Sequence, residues 1–130
     1  MIKSYKDLRV WQKAIELVTL IYNLSKSFPK DELFGLTSQT RRVSVSVPLN
    51  IAEGYGRHST QSYIQFLRIS RGSIMEVETC VIISENLGYI TKSEALEIKG
   101  KIEEVLISLN GLIKSLNEKI ISLSVEGTKS

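Results

Sequence analysis

Apolar residues recur along this chain at spacings of three and four residues, the repeat of an amphipathic α-helix. They form four segments, at about 8–26, 36–52, 59–87 and 92–117, separated by short polar connectors. The fourth is the most regular, with seven apolar positions spaced 3, 4, 3, 4, 3 and 4 apart: Ala95, Ile98, Ile102, Val105, Leu109, Leu112 and Leu116. The pattern predicts an all-α protein, an antiparallel up-down four-helix bundle with left-handed packing.

Several helix boundaries are marked by residues suited to end a helix. Asp7 and Ser59 are predicted N-caps of the first and third helices, because their side chains accept hydrogen bonds from free backbone N–H groups. Thr91 and Glu94 have the spacing of a capping box at the start of the fourth helix. Gly88 is placed to end the third helix in the left-handed conformation.

Residues 39–59 carry two conflicting patterns. The alternation of valine and serine from 43 to 47 is typical of a half-buried strand. A longer helical stripe includes Leu36, Thr40, Val43, Val47 and Ile51, so we interpret the stretch as the second helix. We expect a kink at Pro48, which removes one hydrogen bond and clashes with a carbonyl one turn earlier. Gly54 and Gly56 are predicted to stop this helix after Ala52.

Length and composition indicate one ordinary globular domain. We expect it to span residues 1–117, followed by a frayed C-terminal tail at 118–130. The single cysteine, Cys80, lies in an apolar run and is predicted to be a buried, inert thiol. The chain opens without an apolar signal segment and has no apolar run long enough for a membrane span, so we expect a bacterial cytoplasmic protein.

The charges are distributed unevenly along the chain. Residues 1–71 carry eleven basic and five acidic side chains, a net charge of +6, whereas residues 72–130 have a net charge of −3. Every arginine except Arg9 lies between 41 and 71, where Glu53 is the only acidic residue. This distribution suits RNA, DNA or the acidic half of a neighbouring subunit, and it also suits a solvated basic face.

The sequence offers few residues for catalysis. One histidine, His58, and one cysteine cannot form a multi-histidine or cysteine-based metal site. The glycines at 54 and 56 lack the lysine and spacing of a phosphate-binding loop, and no G-x-S-x-G motif is present. We therefore expect no enzymatic activity, no cofactor and no metal. A hydrolase using His58 is the remaining enzymatic alternative.

Two groups of polar residues are candidate functional sites. The predicted nucleic-acid-binding residues are Arg41, Arg57, His58, Arg68 and Arg71. Tyrosines at 55 and 63 lie near them in sequence, and aromatic rings with cations suit single-stranded RNA. Arg42, Asn50 and Glu53 share one face of the second helix, and we interpret them as a structural polar clasp rather than a binding pocket. Small residues at 70, 72 and 73 predict close approach of another helix, with a ligand groove as the alternative.

Five segments resemble one known family. Tyr5–Ala14, Gln39–Pro48, Asn50–Gly54, Phe66–Ser73 and Glu76–Thr79 are similar to the signature segments of the four-helix-bundle proteins encoded in 23S rRNA intervening sequences. The chain departs from that pattern with Val43 and Ser70, where the family often has alanine. The resemblance implies an up-down bundle that assembles into a homopentamer with a central opening. It also implies kinship with accessory proteins of diversity-generating retroelements, which work with a reverse transcriptase and RNA. It brings no defined catalytic residues.

These observations support two compatible hypotheses. In the first, the protein is a homo-oligomer whose arginines bind RNA or DNA. In the second, it is a protein-interaction scaffold whose basic half contacts the acidic half of the next subunit or another protein, as in a head-to-tail ring. Both predict self-association, and neither involves a membrane.

Overall fold

Four α-helices account for most of the chain. The computed structural model describes residues 1–129, with side chains described through residue 125. The helices are α1 (Arg9–Ser25), α2 (Ser38–Tyr55), α3 (Thr60–Asn86) and α4 (Lys92–Lys129). Short 3-10 turns occupy Tyr5–Asp7 and Lys30–Glu32, and Leu33–Thr37 form a turn in which the backbone of Gly35 is not helical. No strand occurs among the described residues, so the all-α prediction is confirmed and the alternating valines and serines at 43–47 belong to a helix.

The helices pack around one apolar core. α2 packs against α1 and α3, and α4 packs against α3 and α1, as in a helical bundle. Each helix contributes side chains that are almost completely buried, among them Leu17, Ile51, Leu67, Ile74, Val105 and Leu109. Cys80 is also buried, as predicted. No helix in the described part of the chain is both long and apolar enough to cross a membrane.

The apolar stripe of α4 follows the predicted positions through most of its length. The first five predicted positions, from Ala95 to Leu109, are buried. Further along, Ile113 is buried, whereas Leu112 and Leu116 are only half-buried. A straight helix drifts by about 20° per heptad relative to a strict seven-residue repeat, which accounts for this change of buried position.

Most of the predicted helix boundaries are confirmed. The Ser59 side chain accepts a hydrogen bond from the backbone N–H of Ser62 at 3.1 Å. Thr91 and Glu94 form a reciprocal capping box, with distances of 2.9 and 3.0 Å between side-chain oxygens and backbone nitrogens. Gly88 follows α3 with a φ of 75°. These boundaries depend on residues close in sequence, so local patterns were enough to predict them.

Asp7 does not cap α1, contrary to the prediction. Leu8 precedes that helix and makes no side-chain capping bond. The Asp7 carboxylate instead accepts hydrogen bonds from the backbone N–H groups of Lys3 and Ser4, at 2.9 and 3.2 Å. Ser4 and Asp7 therefore form a capping box around the Tyr5–Asp7 turn, one turn before α1 begins.

The predicted end of the second helix after Ala52 is wrong. Gly54 lies inside α2 and is buried, and Gly56 ends the helix with an ordinary right-handed φ of −79°. A Cβ atom built at Gly54 would lie 2.9 Å from the Cβ of Phe66 and 3.1 Å from the backbone oxygen of Tyr63. Gly54 therefore allows close approach of α2 and α3, and α2 continues to Tyr55.

Gly72 has no packing role, although its position inside α3 suggested one. A Cβ atom added there would meet no atom within 4 Å. The adjacent small residues Ser70 and Ser73 are buried and face α2 instead. The predicted close helix contact is therefore made by the serines and not by the glycine.

The C-terminal part of the chain continues α4. Residues 118–129, for which the sequence predicts a frayed tail, have helical backbone in the structure. The final residue of that predicted tail, at position 130, lies outside the described residues. The domain limit at 117 and the fraying beyond it stay predictions about the protein in solution.

Candidate nucleic-acid interface

Arg41 is held at the end of the molecule where α1 finishes and α2 begins. Its Nε donates a hydrogen bond to the hydroxyl of Ser25 at 2.8 Å. Its guanidinium carbon lies 4.8 Å from the centroid of the Tyr22 ring, a cation–π distance. Both partners are neutral, so the side chain is positioned by α1 while its positive charge is not compensated.

Arg57 is paired more completely. It follows α2 and forms a salt bridge of 2.6 Å with Glu53, one turn earlier in the chain. Its guanidinium carbon also lies 4.5 Å from the centroid of the Phe66 ring on α3. The pair is exposed, so it contributes little to stability, but Glu53 compensates the charge of Arg57. His58, the next residue, is exposed.

The two arginines of α3 have different surroundings. Arg71 donates a hydrogen bond from Nη1 to the Asn110 side-chain oxygen of α4 at 2.9 Å. Arg68 is exposed and has no hydrogen-bond or ion-pair partner among the described residues. Asn110 orients the Arg71 side chain but, being neutral, does not offset its positive charge. The charge of Arg68 is likewise not offset.

The five predicted binding residues are not gathered in one patch. Arg41 and Arg57 are sixteen residues apart, which corresponds to about 24 Å along a helix axis. Arg57 lies over the ring of Phe66 on α3. Arg71 projects from α3 at about 140° from Phe66, since successive helical residues are rotated by about 100°. The structure therefore divides the set into Arg41 at one end, Arg57 and His58 at the α2–α3 turn, and Arg68 and Arg71 along α3.

The predicted polar clasp does not form a single network. Arg42 donates to Gln39 at 2.8 Å, within its own helix. Asn50 donates to the backbone and side-chain oxygens of Ser46 at 2.8 and 3.0 Å. Within the described part of the chain, Glu53 pairs with Arg57 alone, as described above. Each residue of the trio is thus bonded to a partner three or four residues away.

The side-chain hydrogen bonds that connect α2 and α3 come from serine hydroxyls. The hydroxyls of Ser46 and Ser73 lie 2.7 Å apart and share a hydrogen bond. The Ser46 hydroxyl also accepts a hydrogen bond from the Asn50 side chain. Ser70 donates to the backbone carbonyl of Val47, the residue before Pro48, at 2.8 Å. Sequence reasoning found the small residues of α3 but not their acceptors, because the acceptor of Ser70 is a backbone group with no signature in the sequence.

The two tyrosines near the arginines form part of the packing. The rings of Tyr55 and Tyr63 meet edge to face, with centroids 6.1 Å apart. Burial, with a smaller contribution from Tyr55, raises the pKa of the Tyr63 hydroxyl to about 12. Tyr63 therefore stays neutral and half-buried, and it does not offer a free ring face like that of an exposed side chain.

An aromatic and basic surface that sequence reasoning missed lies beside Arg41. Tyr22, Phe34 and Arg42 line one open hollow together with Arg41. Lys26 and Lys30 line an adjoining hollow that also includes Arg41. We call these six residues the α1–α2 surface. The signal that could have revealed it is Phe34, a phenylalanine in a polar connector.

The described residues contain no group of three or more histidine, cysteine, aspartate or glutamate side chains that could hold a metal ion. Two acidic side chains near the arginines have hydrogen-bonding partners. Glu53 pairs with Arg57, and Glu32 accepts hydrogen bonds from Tyr89 and from the backbone of Leu36.

Comparison with known proteins identifies a matching family and a similar solved structure. The sequence model of the family described as 23S rRNA-intervening sequence protein matches residues 6–111. Among solved structures, the chain is similar to a protein of unknown function from the S23 ribosomal protein family of Bacteroides thetaiotaomicron. That match has a TM-score of 0.75 and 26% sequence identity, and it covers 81% of this chain and 98% of that chain. No curated protein matches significantly. Because the family model covers most of the chain, this protein belongs to the 23S rRNA-intervening sequence protein family.

Proposed function

We propose that the protein is a non-enzymatic, cytoplasmic homo-oligomer, a pentamer, that binds RNA through its arginines. Each subunit is an up-down, left-handed four-helix bundle with the second helix kinked at Pro48. The contacts that support antiparallel neighbours join residues that lie at similar distances from the loop between consecutive helices. Ser25 at the end of α1 meets Arg41 near the start of α2, and Arg71 near the middle of α3 meets Asn110 at the middle of α4.

The observation that carries the RNA proposal is the uncompensated charge of the arginines. Five arginines lie between residues 41 and 71, and among the described residues only Arg57 forms a salt bridge. Arg41, Arg42 and Arg71 donate to neutral oxygens, and Arg68 is exposed without such a bond. Phosphate oxygens would accept charge-assisted hydrogen bonds from these groups, and one phosphate can accept two parallel bonds from a single guanidinium.

Oligomerisation would raise the affinity of the protein for RNA even if one subunit binds weakly. Each subunit repeats the same arginines, so an RNA that contacts several subunits binds more tightly than it binds one. The separation of the arginines into three places within a subunit also fits a ligand that runs across the surface rather than one that enters a pocket. An RNA strand has that form.

A salt titration with a fluorescent single-stranded RNA tests the proposal. The logarithm of the affinity should fall linearly with the logarithm of the salt concentration. Replacing Arg68 with alanine should weaken binding and reduce that slope by about 0.7, the contribution of one single-strand phosphate. Arg71→Ala should act similarly, whereas Arg57→Ala should act less because Glu53 already pairs with Arg57.

Lys99→Ala is the matched control. Lys99 is exposed and lines the groove between α3 and α4 together with Glu78 and Glu85, away from the arginines. Its replacement should leave the slope unchanged. Wild-type protein that binds neither single-stranded nor structured RNA at low ionic strength would contradict the proposal.

A protein-interaction scaffold is the second candidate function. A groove between α1 and α2, separate from the α1–α2 surface, is lined almost entirely by apolar side chains, including Trp11, Ile15, Pro48 and Leu49. Leu49 is 62% exposed. Such a surface favours contact with another subunit or another protein. Light scattering tests it. A monomer of 14.6 kDa at micromolar concentration and physiological salt would contradict both self-association and the ring.

A further inference from the structure

The turn at Leu33–Thr37 displays an aromatic ring to solvent. Phe34 is 95% exposed, and Leu33 beside it is 51% exposed. The last two residues of the turn are packed, since Thr37 is buried and Leu36 contacts the core. A phenylalanine this exposed leaves both ring faces open to a flat partner.

The turn that carries Phe34 is fixed at its base. Glu32 accepts a hydrogen bond from the backbone N–H of Leu36 at 3.3 Å and another from the Tyr89 hydroxyl at 2.8 Å. The Tyr89 ring in turn lies 5.6 Å from that of Phe28, between centroids. A Cβ at Gly35 would come within 2.7 Å of the Glu32 carboxylate, so a larger residue there would displace the Glu32 side chain. Phe34 is therefore presented by an anchored turn.

Cations line the hollow that contains this ring and the hollow next to it. The α1–α2 surface contains four of them, Lys26, Lys30, Arg41 and Arg42, and their side chains line the two adjoining hollows at this end. The connector also carries Asp31 and Glu32, and the hydrogen bond from the neutral Tyr89 hydroxyl brings no positive charge to offset Glu32. Four cations against these two carboxylates still leave the surface positive, with Tyr22 covered by Arg41 and Phe34 left uncovered.

We infer that the α1–α2 surface binds single-stranded RNA, with a base stacked on Phe34 and the neighbouring phosphates held by Arg41 and Arg42. The inference rests on the proposed RNA-binding function and gives it a location. Stacking on aromatic rings beside cations is the way proteins hold unpaired nucleotides, because every base has a flat face and every linkage a negative charge. Duplex RNA keeps its bases stacked on one another and cannot use Phe34 in this way.

Binding of a fluorescein-labelled 12-nucleotide single-stranded RNA to Phe34→Ala tests the inference. The substitution should weaken binding about tenfold, the effect of losing one stacked base, without changing the salt slope. Phe34→Trp should retain the affinity, because indole also stacks. Arg42→Ala should weaken binding and reduce the salt slope by about 0.7. Ile107→Ala, a change at an apolar residue of α4 that is 75% exposed, should alter neither quantity.

The possible failures are distinguishable. If wild-type protein shows salt-sensitive binding and Phe34→Ala binds equally well, this location is wrong while the proposed function stands. If wild-type protein binds no RNA at low salt, both fall. If Phe34→Ala lowers the oligomer mass measured by light scattering, Phe34 lies in a subunit contact and the inference is overturned.

Discussion

The backbones of α2 and α3 approach so closely at Gly54 that a methyl group would collide with Phe66 and Tyr63. Gly54→Ala should therefore destabilise the protein by about 1–3 kcal/mol, as expected for overpacking in a tight contact. The free energy of unfolding from urea titration measures the effect.

Gly72→Ala is the matched control for this substitution. It places the same methyl group in α3, where nothing lies within 4 Å. There alanine should stabilise the protein by about 0.5–1 kcal/mol, because glycine is the poorer helix former. Equal effects of the two substitutions would show that the contact at Gly54 has been misread.

The Tyr63 hydroxyl should make stability fall at alkaline pH. Its pKa is raised from 10.0 to about 12 in the folded protein, mainly by burial, so folding favours the neutral phenol. The contribution is fully present below pH 10 and is lost as the pH rises towards 12. Urea titrations of wild type and Tyr63→Phe across this range should show a smaller decline in the variant. Identical declines would mean that Tyr63 titrates as an exposed tyrosine.

Local sequence reasoning succeeded at residues whose partners are a few positions away. Ser59, Thr91 and Gly88 act on their own helix ends, so their roles could be predicted from spacing. Gly54 and Phe34 could not be understood in this way. The first depends on which helix lies opposite, and the second on an anchor from Tyr89, which is distant in sequence.

At the scale of the elements, the α2–α3 pair is joined by buried hydroxyl groups as well as apolar contacts. Ser70 is completely buried, and its hydroxyl donates to the Val47 carbonyl. Ser70→Ala should destabilise the protein by about 0.5–1.5 kcal/mol, the net value of such a hydrogen bond. Thermal unfolding followed by circular dichroism measures the change.

Thr79→Ala provides the comparison for Ser70→Ala. Thr79 is exposed on the same helix, and its hydroxyl donates to the Met75 carbonyl one turn earlier. Its replacement should change stability by less than about 0.5 kcal/mol, as is usual at surface positions. A loss at Ser70 no larger than the loss at Thr79 would show that the interhelical bond is unimportant.

The number and type of the elements followed from hydrophobic spacing, and their exact extents did not. The helical spacing of Val43, Val47 and Ile51 predicts the structure of this stretch better than the alternation of valine and serine does, because it accounts for more residues. The end of α2 was misjudged because glycine suits both a helix end and a close helix contact. Only the position of α3 decides between these two roles.

At the scale of the whole molecule, the charge distribution is the main guide to function. The sequence places most of the basic residues at positions 1–71, and the structure separates the arginines of residues 41–71 into one end of the molecule, the α2–α3 turn and one stretch of α3. Sequence alone predicted the cations but not this separation. The separation depends on the length of α2 and on the neutral partners Ser25 and Asn110 in other helices.

The affinity of wild-type protein for a single-stranded RNA, measured from about 20 to 200 mM salt, tests the central claim most directly. If uncompensated arginines bind phosphate, log affinity must fall linearly with log salt, and Arg68→Ala must reduce the slope while Lys99→Ala does not. Absence of binding at the lowest salt, or binding that does not change with salt, would contradict this account.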